Sequence, residues 1–172
     1  MSLLDILQML WGIYYYLYNS SSLDVEPGSD VFISGSCDET AKLWDTRTGE
    51  YELNFEGASS EINAIKFFPD YRAFATGNDS GECVLFDIRT TTELNRYNPG
   101  AYTPATSLAF SNSGCYLFAG YDDYTVAVYH TLTGELVRSL ESHTDRVTTV
   151  GVNTEGTALA SGSWDGSIRI WA

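Results

Sequence analysis

The sequence predicts an all-β fold, a partial β-propeller of about 3.5 four-stranded antiparallel blades. Three observations predict it. Four apolar segments end in glycine, Gly35 in VFISGSCD, Gly77 in AFATGNDS, Gly120 in YLFAGYDD and Gly162 in ALASGSWD, at spacings of 42, 43 and 42 residues. Nine residues after each glycine stands an aromatic: Trp44, Phe86, Tyr129 and Trp171. Between these anchors the pattern alternates strand and turn, with no sustained helical periodicity beyond the first 18 residues.

Composition narrows the function classes. With 14% aromatic residues, 15 glycines and only 4 prolines, the 172-residue chain suits a globular β protein rather than a disordered one. Nine basic residues against 23 acidic ones give a net charge of −14, which phosphates would repel, and no basic stripe offsets it. Nucleic acid is therefore excluded as a partner. A soluble protein that meets basic surfaces fits, as does one that is simply kept soluble by its charge. Cys37, Cys83 and Cys115 are odd in number and show no metal-ligand spacing, so reduced cytosolic thiols and no metal or cofactor are expected. Asn19 and Asn78 open Asn-x-Ser sequons, which are chance matches in a cytosolic protein.

Residues 1–22 differ from the remainder of the chain. Leu3 to Tyr18 is an apolar run of 16 residues interrupted by Asp5, Gln8 and Gly12. It is shorter than the roughly 20 residues of a spanning helix. The first basic residue is Lys42, so a secretory n-region and an orienting positive flank are both missing. IYYYLY, ending at Tyr18, has high β-propensity and would be an aggregation hazard if exposed. A displaced strand, an amphipathic segment or an aberrant terminus is expected over 1–22, ahead of a membrane anchor.

The repeats begin at Leu23 and divide into blades 23–57, 58–98, 99–141 and 142–172. Strands Ile62–Phe68, Ala105–Phe110 and Arg146–Val152 lead into turns at Pro69-Asp70, Ser111–Gly114 and Asn153–Gly156. Strands Glu50–Phe55, Glu93–Tyr97 and Glu135–Leu140 come after turns holding Thr48-Gly49, Thr90–Thr92 and Thr133-Gly134. The anchor glycine is expected to serve tight turning and close approach of a neighbour. The Asp three residues later would bond turn amides, and the aromatic would fill the space between blades.

The last blade has the fullest polar set: His143, Ser161, Asp165 and Trp171. Serine, histidine and aspartate are the residue types of a hydrolase triad. The first blade repeats Ser34, Asp38 and Trp44 in the same frame, however, and a set that recurs with the period reads as a structural network. No nucleophile elbow or glycine-rich phosphate loop occurs, so neither catalysis nor a small-molecule substrate is expected. Elsewhere the frame degrades: Ala58 stands for the histidine, Ser80 for the turn Asp, Ala119 for the hydroxyl, and Tyr129-His130 for Trp-Asp. His130 is expected to cap a strand end. The two middle blades are expected to lean on apolar packing.

The four frames resemble WD repeats. GSCDETAKLWD, EINAIKFFPDYRAFATGNDSGECVLFDIR, FSNSGCYLFAGYDDYTVAVY and HTDRVTTVGVNTEGTALASGSWDGSIRIWA together resemble the C-terminal part of a heterotrimeric G protein beta subunit, from about Leu23 to Ala172. The resemblance implies a non-catalytic signalling adaptor in G protein-coupled receptor signalling. It would bind G protein alpha and gamma subunits and effectors, and reach the inner face of the plasma membrane from the cytoplasm through those partners. It places alpha and effector contacts on Cys37, Asn63, Asp79, Asp122, Arg146 and Trp164, with Glu61 where the family has Asp. Trp164 is the strongest of these, because a large aromatic in a turn suits a binding hot spot. Packing on the neighbouring blade is its alternative role. Members of that family have seven blades and a gamma-pairing N-terminal helix; the first three blades and the helix have no counterpart here. The last blade also lacks an outer strand, leaving edges open. The expectation is a truncated product or a chain completed by another; a WD-repeat scaffold in some other complex is the alternative.

Overall fold

The computed structural model describes residues 19–100 and 102–172. Their regular elements are all strands. The first sheet is β1 (Ser20–Val25), β2 (Val31–Ser36), β3 (Ala41–Asp45) and β4 (Glu50–Phe55). The second is β5 (Ile62–Phe67), β6 (Ala73–Asn78), β7 (Cys83–Asp87) and β8 (Thr92–Tyr97). The third is β9 (Ala105–Phe110), β10 (Tyr116–Tyr121), β11 (Thr125–His130) and β12 (Leu136–Glu141). The fourth is β13 (Val147–Val152), β14 (Leu159–Ser163) and β15 (Ile168–Trp171). Each sheet is an antiparallel meander whose spatial order matches the chain order, so among the described residues three blades have four strands and the last has three. This is the partial propeller that the period predicts.

The blades stack through their innermost strands. An added Cβ at Gly35 would lie 2.4 Å from Ile62 Cγ2 of the next blade. One at Gly77 would meet Ala105 Cβ at 3.0 Å, and one at Gly120 would meet Val147 Cγ1 at 2.8 Å. None of these glycines has a positive φ. The expectation of tight turning at the anchor glycine is therefore corrected: close approach alone demands it. Turning falls to Glu39, Gly81, Tyr124 and Gly166, with φ of 69, 90, 74 and 78°.

Between blades lie the apolar cores. Ile33, Leu43 and Phe55 meet Ile62, Phe74 and Phe86 between the first and second blades. Leu85 and Tyr97 meet Leu108, Leu117 and Tyr129 between the second and third. A smaller set, Val126, Val147, Val150 and Leu159 with Trp171 against it, joins the third to the fourth. Trp44, Phe86 and Tyr129 are buried, as the anchor aromatics should be. Trp171 is half-buried, and Ile168 and Ile170 on β15 are 77% and 66% exposed.

The segment expected to stand apart as 1–22 ends earlier than its composition suggests. Ser20 to Ser22 belong to β1, paired with Ser36 and Gly35. The Ser21 hydroxyl donates to the carbonyls of Gly35 in its own blade and Ile62 in the next. The expectations for residues 1–18, IYYYLY included, lie outside the described residues. No helix among the described residues is long and apolar enough to cross a membrane.

Candidate interaction face

One irregularity, repeated four times, builds the site. The innermost strand of each blade bulges near its start, and the residue left out of register is Ser21, Asn63, Thr106 or Thr148. A bulge frees one side chain from the ladder and re-aims it. Thr106 uses its hydroxyl to bridge the Gly120 carbonyl at 3.0 Å and the Val147 carbonyl of the next blade at 2.5 Å. Thr148 bonds the Gly162 carbonyl at 3.2 Å. Asn63 breaks the pattern, donating its Nδ2 instead to Asp79 Oδ1 at 3.4 Å.

The second component is the turn after the second strand of each blade. Cys37, Asp79, Asp122 and Trp164 occupy one repeat position, 42, 43 and 42 residues apart. Their backbone N–H groups donate to the carbonyls of Asn19, Glu61, Pro104 and Arg146, at 3.0, 2.9, 3.0 and 3.1 Å. The same short link in every blade brings these turns to the end of the sheets where the bulges lie. Asn63, Asp79, Asp122, Arg146 and Trp164 share one open depression of about 520 Å³ with Ser21, Pro104, Thr106 and Thr148.

Five of the seven residues expected to make contacts thus line one concavity. Cys37 and Glu61 are not among its lining residues but pair with each other: burial and the Glu61 carboxylate push the exposed Cys37 thiol up. Inside the depression, Arg146 approaches Asp122 to 2.8 Å, although its Nε lacks hydrogen-bond geometry. The same guanidinium lies 4.7 Å from the Trp164 ring centroid. Trp164 is 67% exposed, with its own arginine rather than a neighbouring blade's core against it. Carboxylates beside an aromatic ring and a guanidinium can recognise charged and amphipathic side chains. Sequence reasoning did not single out Ser21, Thr106, Thr148 or Pro104; stepping from Asn63 by 42 or 43 residues at a time finds the first three.

The network residues lie deeper, between strands. In the last blade His143 Nε2 meets Ser161 Oγ and its Nδ1 meets Asp165 Oδ2, both at 2.8 Å. Trp171 Nε1 donates to the same Ser161 oxygen at 2.9 Å. Hydrogen bonds from the Ser167 hydroxyl, from His143 and from the Thr144 amide hold Asp165 well below the usual carboxylate range, against the opposing effect of desolvation. Ser161 is 1% exposed, so its hydroxyl sits in a closed bond network instead of an open cleft. In the first blade Trp44 Nε1 donates to Ser34 Oγ at 2.9 Å, while Asp38 accepts from Thr40 and pairs with Lys42.

The middle blades supply most of the apolar core, as expected, and they carry polar clusters of their own as well. In the second blade the Phe86 side chain has no N–H and Ala58 no ring nitrogen, so Thr76 Oγ1 at the Ser161 position has no partner among the described residues. A different polar cluster replaces the lost one. Asn78 accepts from the Ser80 hydroxyl and the Glu82 amide, Ser59 donates to Glu82 at 2.6 Å, and Arg96 pairs with Glu82 and Glu93 at 2.7 Å each. Asn78 itself is fully buried. The third blade uses phenols: Tyr121 and Tyr129 hydroxyls stand 3.1 Å apart, and Tyr97 of the second blade donates across to the Thr131 carbonyl at 2.7 Å. Burial pushes all three phenols up, and pushes the Cys83 thiol beside them to about 12. His130 Nδ1 accepts from the Thr133 amide at 3.3 Å, closing the end of β11. No cluster of three His, Cys, Asp or Glu side chains able to hold a metal ion occurs among the described residues.

The chain matches the WD domain, G-beta repeat family over residues 19–45, 49–87, 95–130 and 134–172. It is 48% identical over 150 residues to a guanine nucleotide-binding protein subunit beta of Arabidopsis thaliana, covering 82% of this chain and 40% of that protein. A protein of the same name from Solanum tuberosum is 45% identical over 151 residues, covering 83% and 40%. One from Oryza sativa subsp. indica is 43% identical over 155 residues, covering 84% and 41%. The chain spans about 40% of the length of these curated relatives.

Proposed function

The chain belongs to the WD domain, G-beta repeat family, and from that premise we propose that it is a non-catalytic signalling adaptor of the G protein beta type. Its partners on this reading are G protein alpha and gamma subunits and their effectors, and it works at the cytoplasmic face of the plasma membrane through them. The observation that carries the reading is the shared depression in which Asn63, Asp79, Asp122, Arg146 and Trp164 converge. Those residues come from three blades, and Arg146 links Asp122 of the third blade to Trp164 of the fourth, so they form one continuous polar and aromatic surface. An exposed tryptophan held by an arginine, beside two carboxylates, is a hot-spot arrangement for a protein surface. Nothing in the depression supplies a nucleophile with a base within reach of it.

The test is binding of the full chain to a purified GDP-bound alpha subunit, measured by calorimetry with Trp164→Ala alongside. Binding that weakens at least tenfold on Trp164→Ala supports the reading, since hot-spot truncations cost about 2 kcal/mol or more. No binding by the unsubstituted chain, or identical binding by the variant, overturns it in favour of a scaffold serving another complex.

A further inference from the structure

The turns that present the contact residues also contain a backbone irregularity. Two residues after Cys37, Asp79, Asp122 and Trp164 come Glu39, Gly81, Tyr124 and Gly166, all in the left-handed region. A Cβ there crowds the following carbonyl, whereas glycine has none to crowd. The second and fourth blades use the strain-free residue. The first and third do not.

Two other non-glycine residues among the described ones are left-handed, and both are compensated. Tyr71, φ 59°, lays its ring edge-on to Phe67 at 5.6 Å and packs on the core between the first two blades. Thr91, φ 55°, donates its hydroxyl to the Thr90 carbonyl at 2.7 Å. Glu39 and Tyr124 have no such return. Neither side chain makes a hydrogen bond, ion pair or ring contact among the described residues; Glu39 is exposed and Tyr124 is 46% exposed. The bonds of the turns, Glu39 N–H to the Ser36 carbonyl and Thr125 to Asp123, hold the backbone in place, so a non-glycine side chain kept there at a cost points to a use outside the fold.

We propose that Tyr124 and Glu39 extend the interaction face outward from the central depression and touch the same partner there. This rests on the functional reading above and adds residues to it. Tyr124 stands beside Asp122 and Asp123 on a chain of net charge −14, so the partner surface it fits is basic, a lysine or arginine laid over the phenol ring and held by the carboxylates. Glu39 offers one more carboxylate in the equivalent turn of the first blade, beside Asp38. The turn geometry requires φ > 0 in all four blades, so glycine would serve the fold at both positions.

That produces two readouts of opposite sign. Tyr124→Gly removes the strain and the ring together. Its thermal midpoint should hold or rise by a few degrees, while Kd for the GDP-bound alpha subunit should rise about five- to tenfold. Tyr124→Phe should stay within about twofold of the unsubstituted chain, because the ring face is retained. Glu39→Gly should move both readouts the same way, less in binding. A lower midpoint with unchanged Kd for Tyr124→Gly would assign the residue to the fold and overturn the inference, as would no change in either readout. If Trp164→Ala weakens the probe and Tyr124→Gly does not, this inference fails while the functional reading stands. If the unsubstituted chain does not bind the probe, both fail.

Discussion

Lys66 reaches 2.8 Å to Asp24, which holds the same repeat position one blade earlier. The other Asp24 oxygen accepts the Phe67 amide at 2.8 Å, so one carboxylate ties β1 to β5 through a charge and a backbone donor. At the same position the next two blades carry Ala109 and Gly151, which can form neither bond. The first blade is thus clamped to the second by a device the later junctions lack.

The two halves of that clamp should separate by mutation. Lys66→Met removes only a partly exposed ion pair and is expected to cost under about 1 kcal/mol. Asp24→Ala also strands the Phe67 amide and is expected to cost about 1–2 kcal/mol. Denaturant unfolding of both variants checks the order, and an equal cost would show that the amide bond contributes nothing.

Thr76→Val should be neutral or stabilising by up to about 1 kcal/mol, because the hydroxyl it removes is buried without a partner. Ser161→Ala at the equivalent position should cost about 2–3 kcal/mol, since it strands the Trp171 indole N–H and His143 Nε2 together. Thermal unfolding of the pair is the comparison. A cost for Thr76→Val equal to that for Ser161→Ala would mean that Thr76 has a partner after all.

Gly35→Ala should destabilise by about 1–3 kcal/mol, because the methyl would drive into Ile62 across the blade junction and one side must shift. Gly162→Ala meets only Thr149 Cγ2, at 2.9 Å in its own blade, and should cost less. The difference in denaturation midpoint reports how tightly the blades stack.

Asp165 makes the last blade acid-sensitive. Its folded carboxyl is held below its unfolded value, so its contribution is fully present above about pH 4, where the unfolded group is ionised too. That contribution is lost as pH falls below this range and the folded carboxylate takes up its proton. Asp165→Asn should therefore lower the midpoint at pH 7 and flatten its decline between about pH 4 and 2, read by thermal melts across that range. A variant that declines as steeply as the parent would place the acid sensitivity elsewhere, for instance at Glu82, which Ser59 and Arg96 hold down.

Much of this was decided by the sequence alone. The 42–43-residue period, the glycine and aromatic anchors and the polar set His143, Ser161, Asp165 and Trp171 are local patterns, and local patterns are enough to set strands, turns and blade count. Tertiary structure decided what depends on register and stacking. Ser20 to Ser22 read as part of a foreign segment until β2 pairs with them. Thr76 looks like its counterparts until Phe86 and Ala58 leave it without a partner. The depression exists because four bulges and three turns, each ordinary by itself, are brought to one end of the sheets by blades packed glycine against side chain. Residues 42 apart meet only when that packing sets the angle between blades, and no single-blade pattern encodes it.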